Sequence, residues 1–158
     1  MAQYKNIKCR INGRDTECLV DVRASLTDML RGDYGLTSVK KGCEVGECGA
    51  CNVMVDGESF NSCIYMAIWA DGKEIITVEG LRDPDTGALH PIQQAFVDEA
   101  AVQCGFCTPG IIMTALELLN RGEKYSRQEL RREISGHLCR CTGYENILNA
   151  LEKALNSN

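Results

Sequence analysis

With 158 residues, of which 44% are hydrophobic, the chain can form one packed domain or two small ones, without room for a large catalytic domain. Its formal net charge of −5 is mild and its basic residues form no long block, so the sequence predicts no nucleic-acid binding. The sequence predicts neither a secretory leader nor an apolar run of membrane-spanning length. We therefore expect a cytoplasmic protein that does not insert into membranes.

The first half of the chain, residues 1–80, is predicted to form a small sheet with one helix. Alternating apolar positions on both sides of Asn12-Gly13 are typical of a two-stranded hairpin. Ser25 is placed to cap a short helix, and later strands are predicted on both sides of Asp56-Gly57. The apolar residues behind these predictions are Ile7, Cys9, Ile11, Cys18 and Val20 in the hairpin, Met29 and Leu30 in the helix, and Val53, Val55, Ile75, Ile76 and Val78 in the later strands.

The second half, residues 81–158, is predicted to be helical. The turn-rich stretch 83–87 separates it from the sheet, and we place the domain boundary after residue 80. Four segments carry apolar stripes with helical spacing, so the sequence predicts a small four-helix bundle. The signals for the helix ends are Pro91 and Thr108-Pro109 at two starts, Ser126 with Glu129 as a capping box at a third, and Gly122 and Gly136 at two ends.

Four cysteines in the first half have the spacing of an iron-sulfur site. They follow the pattern C-x4-C-x2-C-x11-C, and three of them share one glycine-rich loop. The opening part of this pattern is the one by which plant-type ferredoxins hold a 2Fe-2S cluster. A zinc site would more often show two short C-x2-C pairs, so iron-sulfur is the favoured interpretation. The predicted ligands are Cys43, Cys48, Cys51 and Cys63.

A second set of four cysteines in the helical half has a different pattern, C-x2-C-x31-C-x-C. Two of them lie between the first and second helices and two between the third and fourth, so loops at one end of the bundle can bring them together. From spacing alone zinc remains an alternative to iron-sulfur at this site. A disulfide framework is the weaker interpretation, because we expect a reducing compartment. The predicted ligands are Cys104, Cys107, Cys139 and Cys141.

Several residues outside the two quartets have side chains that could take part in chemistry. Cys9 and Cys18 fall at apolar positions of the hairpin and are predicted to be buried without a reactive role. His137 is predicted to be solvated or satisfied in the core, with a hydrogen bond to the second site as the alternative. Trp69 is predicted to pack inside the first domain, with an exposed anchor for a partner as the alternative. Arg140 is predicted to tune the second site by its charge or to form an interface salt bridge.

Three motifs give the chain a specific resemblance. They are GCEVGECGAC at 42–51, QCGFCTPG at 103–110 and LCRCTGY at 138–144. Through them nearly the whole chain resembles the small iron-sulfur subunit of the molybdenum hydroxylases, the group of xanthine dehydrogenase, nicotinate dehydrogenase and aldehyde oxidoreductase. The resemblance implies an α+β chain with an N-terminal β-grasp ferredoxin domain and a C-terminal helical domain, each with a 2Fe-2S cluster.

The resemblance also implies partners and site residues. A large catalytic subunit would hold molybdopterin, with the cytosine dinucleotide form as one candidate, and a subunit containing FAD or another acceptor would receive the electrons in a hetero-oligomer. Gln103 and the neighbourhood of Cys139 would contact the pterin. No residue of this chain is predicted to be catalytic, since oxidation of an N-heterocycle such as a purine or nicotinate, or of an aldehyde, would occur in the large subunit. The alternatives are a free-standing two-cluster ferredoxin and a structural zinc module.

Overall fold

The computed structural model describes residues 3–156, in which a five-stranded sheet and one helix are followed by four helices. The elements of the first half are β1 (Tyr4–Ile11), β2 (Arg14–Asp21), α1 (Leu26–Gly32), β3 (Asn52–Val55), β4 (Glu58–Asn61) and β5 (Glu74–Ile76). The helices of the second half are α2 (Pro91–Asp98), α3 (Thr108–Arg121), α4 (Arg127–Glu133) and α5 (Glu145–Asn156). None of the helices in this part of the chain is long and apolar enough to cross a membrane.

The sheet has the strand order β2-β1-β5-β3-β4. β1 pairs with β5 in parallel, and the other pairs are antiparallel. The β1–β2 hairpin turns at Asn12 and Gly13, both with positive φ, which is the turn expected from the Asn-Gly pair. One face of the sheet buries Ile7, Val53 and Ile75 in a core shared with α1. This half is thus a mixed, ferredoxin-like sheet.

Capping residues in the sequence correctly predicted three helix ends. Ser25 caps α1 and Ser126 caps α4, each in a reciprocal capping box, and Gly122 ends α3 in the left-handed conformation. All three predictions are confirmed. These interactions span only a few residues, which is why the local sequence suffices to predict them.

Other boundary predictions were wrong. Val78 lies in a 3₁₀ turn, Val78–Leu81, because strand pairing along β5 stops at Ile76. Thr108 does not cap α3, since it is already the first helical residue and Cys107 holds the cap position without a side-chain bond. Helix α4 ends at Glu133, before the predicted stop at Gly136.

The helical half shares its core with the sheet. α2 packs against α5 and α3, α4 packs against α5, and α3 also lies against β3 and β4. Met54 of β3 is buried in the same cluster as Phe96, Ile111 and Leu151 of the helices. The sheet therefore supplies part of the floor on which the helices pack.

Polar contacts also join the two halves along α3. The carboxylate of Glu117 accepts hydrogen bonds from the backbone and the hydroxyl of Ser59 on β4, and it pairs with Arg121. Burial opposes ionisation of this carboxyl, but the bonds from Ser59 and Arg121 outweigh it and hold the pKa of Glu117 below its ordinary value. The charged carboxylate therefore ties α3 to the edge of the sheet.

Candidate metal centres

The first cysteine quartet lies on the loop between α1 and β3 and on the segment after β4. The loop has no regular secondary structure, and it turns at Gly46 and Gly49, both with positive φ. The amide groups of Val45 and Glu47 donate to the sulfur of Cys43 at 3.4 Å and 3.2 Å. Chiefly because of the Val45 amide, the pKa of Cys43 falls to about 6. The loop is therefore built to stabilise negative charge on a sulfur.

The four sulfurs of this quartet form two neighbouring pairs. Cys43 interacts with Cys48, and Cys63 interacts with Cys51. Burial, followed by the neighbouring Cys51, raises the pKa of Cys63 to about 11. Negative charge on Cys43 also raises the pKa of Cys63, so the two pairs lie within electrostatic range of each other. The predicted residues are thus brought together across the loop and the sheet.

The second quartet assembles from the two interhelical loops, as expected. The sulfurs of Cys104 and Cys141 lie 3.5 Å apart at the surface, although 37 residues separate them in the chain. Cys107, at the start of α3, interacts with Cys139, and burial followed by this neighbour raises the pKa of Cys107 to about 12. At Cys139 burial is outweighed by hydrogen bonds, led by the Thr142 hydroxyl at 3.1 Å, which lower its pKa. This site, too, consists of two sulfur pairs.

The paired arrangement fits centres with two metal atoms. Each quartet presents two pairs of thiols, which suits a 2Fe-2S cluster with two cysteines on each iron. Four thiolates around an oxidised cluster leave a charge of about −2, which the amides on Cys43 and the N-terminal end of α3 are placed to offset.

The two cysteine loops touch each other through their backbones. The amide of Leu138 donates to the carbonyl of Cys48 at 3.1 Å. Gly110 of α3 lies so close to Gly49 that a Cβ atom at position 110 would stand 2.1 Å from the Gly49 carbonyl oxygen. A Cβ atom at Gly49 would in turn stand 2.2 Å from Nδ1 of His137. Glycine is therefore required on both sides of this junction.

His137 lies at the same junction and is 4% exposed. Its Nε2 atom is 2.8 Å from the hydroxyl of Thr114, which also accepts a hydrogen bond from the side chain of Asn52. Burial lowers the pKa of His137 to about 4, so the ring is neutral at physiological pH. The prediction that His137 lies in the core is confirmed and the solvated alternative is wrong, but the ring is satisfied only at Nε2, since Nδ1 is buried without a hydrogen-bond partner in the described part of the chain.

Other predicted residues have mixed outcomes. Gln103 is exposed next to Cys104, and Arg140 is exposed between two cysteines. Cys9 is buried as expected, whereas Cys18 is only half-buried, with its sulfur 3.8 Å from that of Met29.

The prediction that Trp69 packs inside the first domain was wrong. The indole is 55% exposed. It contacts Tyr65 edge-on, and Tyr65 contacts Phe60 in the same way, with ring centroids 5.5 Å apart in each pair. The short 3₁₀ segment Ala67–Ala70 directs its alanines inward and leaves the indole on the surface.

Two side chains that brace the cysteine loops were missed by sequence reasoning. The side-chain amide of Asn61 donates to the carbonyl of Gly46 at 2.9 Å. The hydroxyl of Tyr144 contacts the backbone of His137 and Cys139. Tyr144 ends the motif at 138–144, but nothing in a single tyrosine predicts that its hydroxyl bonds to the backbone of the preceding loop.

Comparison with known proteins finds relatives for both halves. The family described as 2Fe-2S iron-sulfur cluster binding domain matches residues 9–75, and that described as 2Fe-2S binding domain matches residues 77–152. The xanthine dehydrogenase iron-sulfur-binding subunit of Escherichia coli O157:H7 is 49% identical, over 92% of this chain and 91% of the relative. The nicotine 6-hydroxylase small subunit of Paenarthrobacter nicotinovorans is 47% identical, over 92% and 86%. Among solved structures, quinoline 2-oxidoreductase from Pseudomonas putida 86 has a chain with a TM-score of 0.93 and 42% identity, covering 99% of this chain and 96% of that one.

Proposed function

This chain belongs to the iron-sulfur subunits of the molybdenum hydroxylases, and we propose that in such a complex it relays electrons from a molybdopterin site in a partner subunit to an acceptor. The observation that carries the proposal is the contact between the two cysteine loops, where Leu138 donates to the carbonyl of Cys48. This contact brings the loop that carries Cys48 against the loop that carries Cys139. When bound, two 2Fe-2S clusters would supply two one-electron carriers in series.

The residues of this chain hold and tune those carriers. We assign Cys43, Cys48, Cys51 and Cys63 to one cluster and Cys104, Cys107, Cys139 and Cys141 to the other. The first set belongs to a β-grasp ferredoxin domain, residues 1–80, and the second to a four-helix-bundle domain, residues 81–158. The paired thiols and the amide donors on Cys43 support this assignment. No side chain is assigned as a catalytic acid, base or nucleophile.

The surface around the second quartet supports contact with a large molybdopterin subunit. Cys104 and Cys141 are exposed, and Gln103 lies beside them. Exposed apolar side chains in the same loops, Phe106 and Leu138, would be covered by a partner. We propose that Gln103 and the Cys139 loop face the pterin, in its plain or cytosine dinucleotide form.

A flavin-containing subunit is the proposed acceptor on the side of the ferredoxin-like half. Three exposed side chains, Phe60, Ile64 and Trp69, line one surface pocket formed by the chain on both sides of Cys63 in sequence. Exposed aromatic groups of this kind are enriched at protein interfaces. The names of the relatives include xanthine, nicotine and nicotinate, so an N-heterocycle is the proposed substrate class of the complex. We place the complex in the cytoplasm, which the ten cysteines support, since none of them forms a disulfide within residues 3–156.

Metal analysis with electron paramagnetic resonance tests the proposal. Anaerobically prepared protein should contain about four irons and four acid-labile sulfides per chain and show two distinct signals after dithionite reduction. In the complete complex, Cys104→Ser should disturb one cluster and stop electron flow to the acceptor while substrate binding by the partner persists. Cys18→Ser is the matched control and should keep both signals. Zinc without sulfide would reject the electron relay, and loss of substrate binding in Cys104→Ser would reject the assigned division of labour.

A further inference from the structure

Tyr144 has an unusual backbone conformation at the end of the second cysteine loop. Its φ angle is 67°, a left-handed value that bulky residues rarely adopt, and it follows Gly143 at 63°. Its amide donates to the hydroxyl of Thr142 at 3.1 Å, and its carbonyl accepts from Leu148 of α5 at 2.9 Å. The strained turn lets the chain enter α5 while the phenol ring points back toward the loop. Such strain persists only where surrounding contacts hold it.

The phenol hydroxyl makes two backbone hydrogen bonds within that loop. It accepts from the amide of Cys139 at 2.8 Å and donates to the carbonyl of His137 at 3.0 Å. Between them, the amide of Leu138 donates to Cys48 in the other cysteine loop. The backbone of each of the three consecutive residues His137, Leu138 and Cys139 is thus held by a hydrogen bond.

The bond to the Cys139 amide has a consequence for the charge at the sulfur. In the first quartet two backbone amides donate to the sulfur of Cys43. The sulfur of Cys139 likewise receives hydrogen bonds from the backbone of Thr142 and Cys141 and contacts the Thr142 hydroxyl, whereas the amide of Cys139 itself donates to the Tyr144 hydroxyl. Donors directed at cluster sulfurs stabilise the reduced, more negative state and raise the reduction potential. Tyr144 engages the amide of Cys139 and so keeps this donor from the sulfurs of the cluster.

We propose that Tyr144 is a positioning residue whose hydroxyl fixes the Cys139 backbone and holds down the reduction potential of the cluster in the helical half. The inference rests on the proposed role of Cys139 as a cluster ligand. Ring packing is a separate contribution, because Tyr144 also lies against the helical core. Replacement by phenylalanine keeps the ring and removes only the two hydrogen bonds.

A redox titration of the complete complex, followed by electron paramagnetic resonance, tests this role. Tyr144→Phe should raise the midpoint potential of one cluster and leave that of the other unchanged. Tyr125→Phe is the matched control, because the Tyr125 ring also packs in the helical core, and its hydroxyl contacts the carbonyl of Leu118 away from both quartets. The control should leave both potentials unchanged.

Hydrogen exchange gives a second readout that does not depend on the cluster signals. In Tyr144→Phe, amide exchange should accelerate in residues 137–144, whereas Tyr125→Phe should leave that segment as in the wild type. The inference about Tyr144 would be overturned if Tyr144→Phe showed both cluster signals at wild-type potentials, or wild-type amide exchange in residues 137–144. Either result would leave the proposed function intact. A wild-type complex without a second cluster signal would overturn the proposed function as well.

Discussion

Gly110→Ala tests whether the contact between the two halves is as close as the structure indicates. A Cβ atom at this position would stand 2.1 Å from the carbonyl oxygen of Gly49 and 3.1 Å from its carbonyl carbon. That oxygen cannot swing away as a side chain would, because it accepts a hydrogen bond from the amide of Asn52 at 3.1 Å. Relief of the clash would require α3 and the first cysteine loop to separate by roughly 1 Å.

Two opposing effects determine how much Gly110→Ala should change the free energy of unfolding. Alanine is favoured over glycine in a helix by up to about 1 kcal/mol, so Gly110 in α3 would gain stability from propensity alone. Overpacking costs about 1–3 kcal/mol and more where backbone must move, so we expect a net loss of about 2 kcal/mol. For a chain of this size that corresponds to a fall in Tm of about 4–8 °C.

Thermal unfolding of the cluster-loaded protein, followed by circular dichroism and visible absorbance at one scan rate, measures the effect. Gly32→Ala is the matched control, since Gly32 lies in α1 and a Cβ atom there would meet nothing within 4 Å. The control should raise Tm slightly or leave it unchanged. If Gly110→Ala were as stable as the wild type, the close approach of α3 to the cysteine loop would be refuted.

Three further changes probe other parts of the fold. Ser126→Ala removes the capping box of α4 and should cost about 1 kcal/mol, seen as a fall in Tm of about 2–4 °C with unchanged iron content. Glu117→Ala leaves two donors of Ser59 without their acceptor and should lower the free energy of unfolding by about 1–3 kcal/mol, measured by denaturant unfolding. Glu123 is exposed, so the control Glu123→Ala should be nearly neutral. Equal effects of the two changes would argue against the contact between the halves. Removal of iron by a chelator should make the loop 42–51 sensitive to proteolysis before the strands, because little regular structure holds that loop, and uniform cleavage would contradict this order.

Much of the local structure could be predicted because its causes lie within a few residues. The Asn12-Gly13 turn, the Ser25 and Ser126 caps and the Gly122 helix end depend on short-range preferences and were found where expected. The two cysteine patterns indicated two metal centres because ligand spacing within a loop is itself a local property. The end of the last strand, near Val78, was harder to predict from the sequence, since it depends on where hydrogen bonding to the neighbouring strands stops.

The order of elements, the two cysteine patterns and the family resemblance could thus be obtained from the amino-acid sequence alone. How the quartets meet depends on the packed fold, which sets which sulfurs are neighbours, the bond from Leu138 to Cys48, and the close approach of Gly110 to Gly49. The exposed position of Trp69 and the hydrogen bonds of Tyr144 were decided in the same way. These features arise between segments far apart in the chain, and their geometry is set by the packing of the helices on the sheet, which local sequence preferences do not encode.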